Sequence, residues 1–127
     1  MTREPDLRRI ADELEIRALM AEYCLRLEVN TFDEWMDLFT DDSVYEVYRR
    51  TLRGKAEIAD MLSKAPHGLH LGGPLRIELD GDTARTIQNY LFINAETRAQ
   101  NMGWYHRTAV RTDAGWKIAH TRVDMQK

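Results

Sequence analysis

The chain has 127 residues and a formal net charge of -3, and its 43% hydrophobic against 31% charged residues exclude intrinsic disorder and fit one domain, 1–127, around one core. Charges of both signs are interspersed, with no basic stripe to follow a phosphate backbone and no polybasic patch, which argues against nucleic acid and against a membrane as partners. The single cysteine, Cys24, has no intramolecular partner, and MTREPDLRRIADELE has no apolar run of the signal or spanning kind, so a cytoplasmic protein is expected.

From Asp6 to Leu27 the apolar residues Ile10, Leu14, Leu19, Tyr23 and Leu27 recur at spacings of three to five, which predicts one long amphipathic helix with Pro5 in its first turn. Cys24 lies within it and reads as a small buried hydrophobe. Thr31 and Glu34 then have the T-x-x-E form of a capping box ahead of a short second helix carrying Phe32, Trp35, Met36, Leu38 and Phe39. Ser43 to Arg49 alternates as a strand, and Gly54 turns the chain into a third helix, KAEIADMLSKA, closed by Pro66. Beyond it the pattern becomes extended: HGLHLGG with PLRIEL, a turn at DGD, TARTIQNYLFINAET, GWYHRTAVRT, a turn at DAG, and WKIAHTRVDM. Four consecutive strands of this kind make an antiparallel meander, and helices gathered ahead of strands imply an α+β fold with three helices on one face of a curled sheet.

The element order and several local motifs resemble the SnoaL-like branch of the nuclear-transport-factor-2-like superfamily, which includes scytalone dehydratase-like and bile-acid dehydratase-like enzymes. The resemblance is carried by EIRALMAEYCLRLEVNTFDEWMDLFTDDSVYEV, by LRGKAEIADML, by HLGGP, by DGDTA and by GWYHRTAVRTDAGWKIAHTRV. It implies a cone-shaped α+β barrel whose strongly curved, mainly antiparallel sheet wraps the first helix and leaves an apolar cavity open at one end. Such folds host isomerases, dehydratases, epoxide hydrolases, cyclases and plain binding proteins, so the site must be read residue by residue.

In dehydratase-like members a carboxylate at the end of the first helix pairs with a histidine at the start of the long sheet. The resemblance puts Glu28 and His70 at those positions, with glutamate where the family commonly has aspartate. A neutral imidazole held by a carboxylate can take a proton from carbon beside a carbonyl, and the pair needs no metal and no other cofactor. The plainer readings are a solvated helix end for Glu28 and a core histidine bonded to a backbone carbonyl for His70. His67 lies three residues from His70 and so on the other strand face, which makes H-x-x-H a poor metal motif.

Tyr23 matches a family tyrosine that binds substrate oxygen; Tyr45 and Tyr105 match less well, and each reads equally as a core aromatic with its hydroxyl at the rim. Asn89 sits in a strand interior, where asparagine is disfavoured, and is a candidate hydrogen-bonding group of the cavity. His106 and His120, in the last hairpin, carry no distinguishing spacing.

These expectations point to an enzyme: a cofactor-independent lyase or isomerase, dehydratase-like, acting on a small apolar cyclic or polycyclic molecule. The alternatives are an epoxide hydrolase or cyclase in the same cavity, or a non-catalytic ligand-binding or assembly module. Strands such as NYLFIN and GWYHRTAV are apolar or aromatic on both faces, which predicts a homodimer packed through the outer side of the sheet.

Overall fold

The computed structural model describes residues 4–25 and 31–126. In chain order its elements are α1 (Glu4–Leu25), α2 (Phe32–Met36), β1 (Phe39–Val47), β2 (Arg50–Arg53), α3 (Lys55–Ser63), β3 (Gly68–Asp80), β4 (Thr83–Asn94), β5 (Gln100–Thr112) and β6 (Gly115–Gln126). The strands form one six-stranded sheet in the order β2-β1-β6-β5-β4-β3. The expected meander runs from β3 to β6 with antiparallel pairing throughout. β1, however, joins β6 in parallel, so the sheet is mixed. The sheet curls around α1, which packs on β3 and β6, while α3 packs against β1 and β2.

Of the predicted stripe α1 buries only Leu19 and Tyr23, and Leu27 lies outside the described residues. Asp12, Ile16, Leu19, Met20, Tyr23 and Cys24 face the core, whereas Leu7, Ile10 and Leu14 are 54%, 48% and 63% exposed. The reason is angular: nine residues separate Ile10 from Leu19, and at 3.6 residues per turn that places them about 180° apart. The true stripe runs through Asp12, a charged residue. Its carboxylate takes two 2.8 Å bonds from the Arg111 guanidinium and a 3.2 Å bond from the Trp116 indole, which satisfies it inside. The Arg111 bonds hold the Asp12 carboxyl below its ordinary value, against the opposing pull of burial.

α2 starts as its sequence signal predicts, with the Thr31 hydroxyl accepting from the Glu34 N–H at 3.2 Å. It stops at Met36, and Phe39 already belongs to β1. The indole of Trp35, fully buried, donates to the Tyr23 carbonyl at 3.1 Å and so ties α2 to the last turns of α1. The hairpin from β1 to β2 is an element the sequence reading did not foresee. Its two-residue turn is Tyr48-Arg49, both at positive φ (52° and 61°), a conformation normally signalled by Asn-Gly.

Along the sheet the inward side chains follow a two-residue period. On β4 they are Ala84, Thr86, Gln88, Tyr90 and Phe92, and on β5 Gly103, Tyr105, Arg107 and Ala109. β3 changes phase at an irregularity between Gly72 and Leu75. A Cβ at Gly72 would lie 2.6 Å from the Gln88 side-chain nitrogen and 2.9 Å from the Cys24 sulfur, so glycine is what lets the strand close on the helix there. None of the described helices is long and apolar enough to cross a membrane.

Candidate active site

The cone holds a cavity of about 120 Å³ between the C-terminal part of α1, the end of α3 and the sheet. Its walls are mostly apolar or aromatic, among them Val47, Leu62, Phe92 and Val123, and the polar groups that reach it are tyrosine hydroxyls, Asn101 and one imidazole. That is the composition of a small-molecule site: apolar walls with a few convergent polar groups.

His70 reaches the cavity because β3 alternates: Leu69 and Leu71 point outward, 47% and 48% exposed, and the ring between them turns in. It packs on Phe92 of the neighbouring strand with ring centroids 4.6 Å apart. Tyr23, Tyr45 and Tyr105 line the same cavity, each at most 4% exposed. The Tyr23 and Tyr45 hydroxyls share a 2.6 Å hydrogen bond. The structure therefore brings four of the six candidates, His70, Tyr23, Tyr45 and Tyr105, to one chamber. Glu28 lies outside the described residues.

Asn89 does not line the cavity. Strand alternation turns it to the outer face, where it is exposed and packs against Gly73, and the inward neighbours are Gln88 and Tyr90. Tyr90 is the residue that sequence reasoning missed on this strand. Its ring stacks on Tyr105 at 4.4 Å and its hydroxyl donates to the Asn101 side-chain oxygen at 3.2 Å. The signal was present in the parity: counting by two from Phe92 gives Tyr90 and Gln88, not Asn89.

Arg107 is the second omission, and the same counting from Tyr105 would have found it. Its side chain is inside the sheet at 2% exposure, with the guanidinium carbon 4.0 Å from the ring centroids of both Tyr23 and Tyr105. Nη1 donates to the Gln88 side-chain oxygen at 3.3 Å and to the Met20 sulfur at 3.4 Å. Gln88 is itself aimed by its amide, which donates to the Gly73 carbonyl at 2.9 Å.

Burial sets the state of the phenols. It raises the Tyr45 and Tyr105 hydroxyls well above the usual tyrosine value, with neighbouring tyrosines adding to the effect, and pushes Tyr90 up to about 12. All three are protonated at neutral pH and so are hydrogen-bond donors. Burial also raises the Cys24 thiol, which keeps it an unreactive core group.

The remaining histidines face away from the cavity. His67 is exposed on an open groove of about 630 Å³ that adjoins the cavity across Leu62, Ala65 and Pro66 and carries Arg98 on its rim. His106 and His120 lie on the outer sheet face, within 2.8 Å of Asp124 and 2.6 Å of Glu46 respectively. Among the described residues no three histidine, cysteine or acidic side chains cluster as metal ligands would.

Residues 8–122 match the model of the SnoaL-like domain, nearly the whole chain. The protein belongs to the SnoaL-like domain family. Solved structures agree with this SnoaL-like fold. A single-substitution form of Rv3472, a protein of unknown function from Mycobacterium tuberculosis, superposes with a TM-score of 0.82 at 28% identity, over 94% of this chain and 75% of that one. An NTF2-like protein with a cystatin-like fold from Novosphingobium aromaticivorans gives 0.81 at 24% identity, over 92% and 83%. A hexachlorocyclohexane dehydrochlorinase, LinA type 2, gives 0.80 at 20% identity, over 96% and 90%. Among curated proteins none matches the chain.

Proposed function

We propose that this SnoaL-like protein is a cofactor-independent lyase or isomerase that moves a proton on a small cyclic ketone or β-hydroxyketone held in the cone. The observation that carries the reading is the meeting of one imidazole and a set of protonated phenols in a single apolar chamber. In this scheme neutral His70 takes a proton from carbon next to a carbonyl, and the electron pair of that C–H bond moves onto the carbonyl oxygen. Tyrosine hydroxyls donate to the oxygen as it gains charge. In a dehydration the enolate then expels a β-hydroxyl, which leaves as water with the proton from the imidazolium; in an isomerisation that proton returns to a different carbon. Glu28 is the proposed carboxylate that orients the imidazole.

The cavity volume narrows the substrate. A dry cavity of about 150 Å³ accommodates benzene, so about 120 Å³ suits one ring better than several. LinA type 2, similar in fold, is by name a dehydrochlorinase of a one-ring compound. Activation of water for epoxide opening would want more carboxylates than the described lining provides.

The test needs no knowledge of the natural substrate. Cyclohexanone in D₂O reports proton abstraction as loss of its α-proton NMR signals. The wild-type protein should accelerate that exchange, and His70→Ala should lose about 100-fold to 10,000-fold of the acceleration while remaining folded. Undiminished exchange with His70→Ala would overturn the assignment.

We also propose a homodimer through the outer sheet face, in a cytoplasmic protein. That face carries Leu69, Leu71, Met102 and Trp104 at 41–53% exposure, an apolar area that a second copy would cover.

A further inference from the structure

Arg107 has no part in the scheme above, yet its position calls for an explanation. It is a permanent cation, because guanidinium does not deprotonate in proteins, and it is almost wholly removed from water. Among the described residues no carboxylate lies within ion-pair distance of it, and its Nε and Nη2 atoms, both buried, have no hydrogen-bond partner. Its contacts are instead two π faces, a thioether and one amide oxygen. An unpaired buried charge is the costliest feature a core can carry, and the two ring faces offset only part of that cost.

Both rings beneath the guanidinium belong to cavity walls, and one of them bears the hydroxyl bonded to Tyr45. Negative charge placed on an oxygen at those hydroxyls would sit one ring away from Arg107, in surroundings that screen little. We infer that Arg107 is a built-in counter-charge for an oxyanion bound at the Tyr23–Tyr45 end of the cavity, so that the site selects enolate-like or phenolate-like ligands over their neutral forms. The positive charge also opposes the upward push of burial on Tyr45 and Tyr105, which makes their phenols better donors. Arg107 is thus a positioning residue that acts through the tyrosines. The inference rests on the proposed use of the cavity and names what the cavity prefers to hold.

The experiment uses 4-nitrophenol, a single ring whose ionised form absorbs visible light, titrated into the full-length protein across its ionisation range. Wild-type protein should bind the phenolate about ten-fold more tightly than the phenol, which lowers the ionisation midpoint of the bound probe by about one pH unit. Arg107→Lys should keep the direction of that shift, and Arg107→Met should abolish or reverse it. Arg98→Ala, on the outer groove, should leave it unchanged. Stronger binding of the neutral phenol by wild type overturns the inference even if Arg107→Met does not fold, and so does an Arg107→Met protein with the wild-type shift. Absence of binding by either form overturns it as well. A phenolate preference without cyclohexanone exchange would remove the catalytic reading alone, and exchange without the preference would remove the counter-charge alone.

Discussion

Removing the Tyr45 hydroxyl tests whether the tyrosine pair is a coupled unit. Tyr45→Phe keeps the ring, and with it the contact to Phe39 at 6.5 Å, and deletes one partner of a 2.6 Å bond between side chains only 3% and 4% exposed. A net hydrogen bond is worth about 1 kcal/mol, and leaving a buried hydroxyl without its partner costs about 1 to 3 kcal/mol. Tyr23 borders the cavity, where water can replace the lost partner, so the lower part of that range applies and a loss of about 1 to 2 kcal/mol is expected. Tyr23→Phe should cost a similar amount. The double variant leaves no orphaned hydroxyl, so it should cost little more than either single one, a coupling of about 1 kcal/mol. Urea unfolding reads this as midpoint shifts at constant slope. Strict additivity, or single variants as stable as wild type, would refute the coupled pair.

Three further outcomes follow from the geometry. Gly103→Ala should lose about 2 kcal/mol of stability by the same urea measurement, because a Cβ there collides with the Asp124 carbonyl oxygen, which is backbone and cannot swing aside. Asp12 is held below its ordinary value in the folded state, so its contribution to stability is present above the unfolded value and is lost as pH falls through the folded one. Asp12→Asn should therefore be less stable than wild type at neutral pH, with a shallower acid limb in a plot of unfolding midpoint against pH, the two curves converging at low pH. Sedimentation velocity at micromolar concentration should show a dimer that Trp104→Lys dissociates, and a wild-type monomer would contradict the proposed interface.

The sequence carried the architecture further than it carried the site. The N-cap at Thr31, the third helix and the meander from Gly68 onward are governed by local chemistry and by simple periods, and they stand where the pattern puts them. Elements decided by tertiary contacts were hidden. Asp12 occupies a core position because Arg111, ninety-nine residues away, satisfies it, and a hydrophobic stripe that begins with aspartate does not look like one. The β1–β2 hairpin turns on Tyr48 and Arg49, residues with no bias toward positive φ. In the site, the family resemblance leads to His70 and three tyrosines that do share a chamber, whereas Asn89 stands out only by its rarity in strands and its parity points outward. Arg107 is hidden because an arginine in a strand reads as solvated until the sheet curls around it.

The four histidines supply the most direct test of the central claim, since only His70 lines the cavity while His67, His106 and His120 face outward. Imidazole resonances followed by long-range ¹H–¹⁵N NMR during titration with cyclohexanone should show a saturable shift of the His70 ring and no movement of the other three. Saturable movement at an outward histidine with His70 unchanged would contradict a ligand site in the cone.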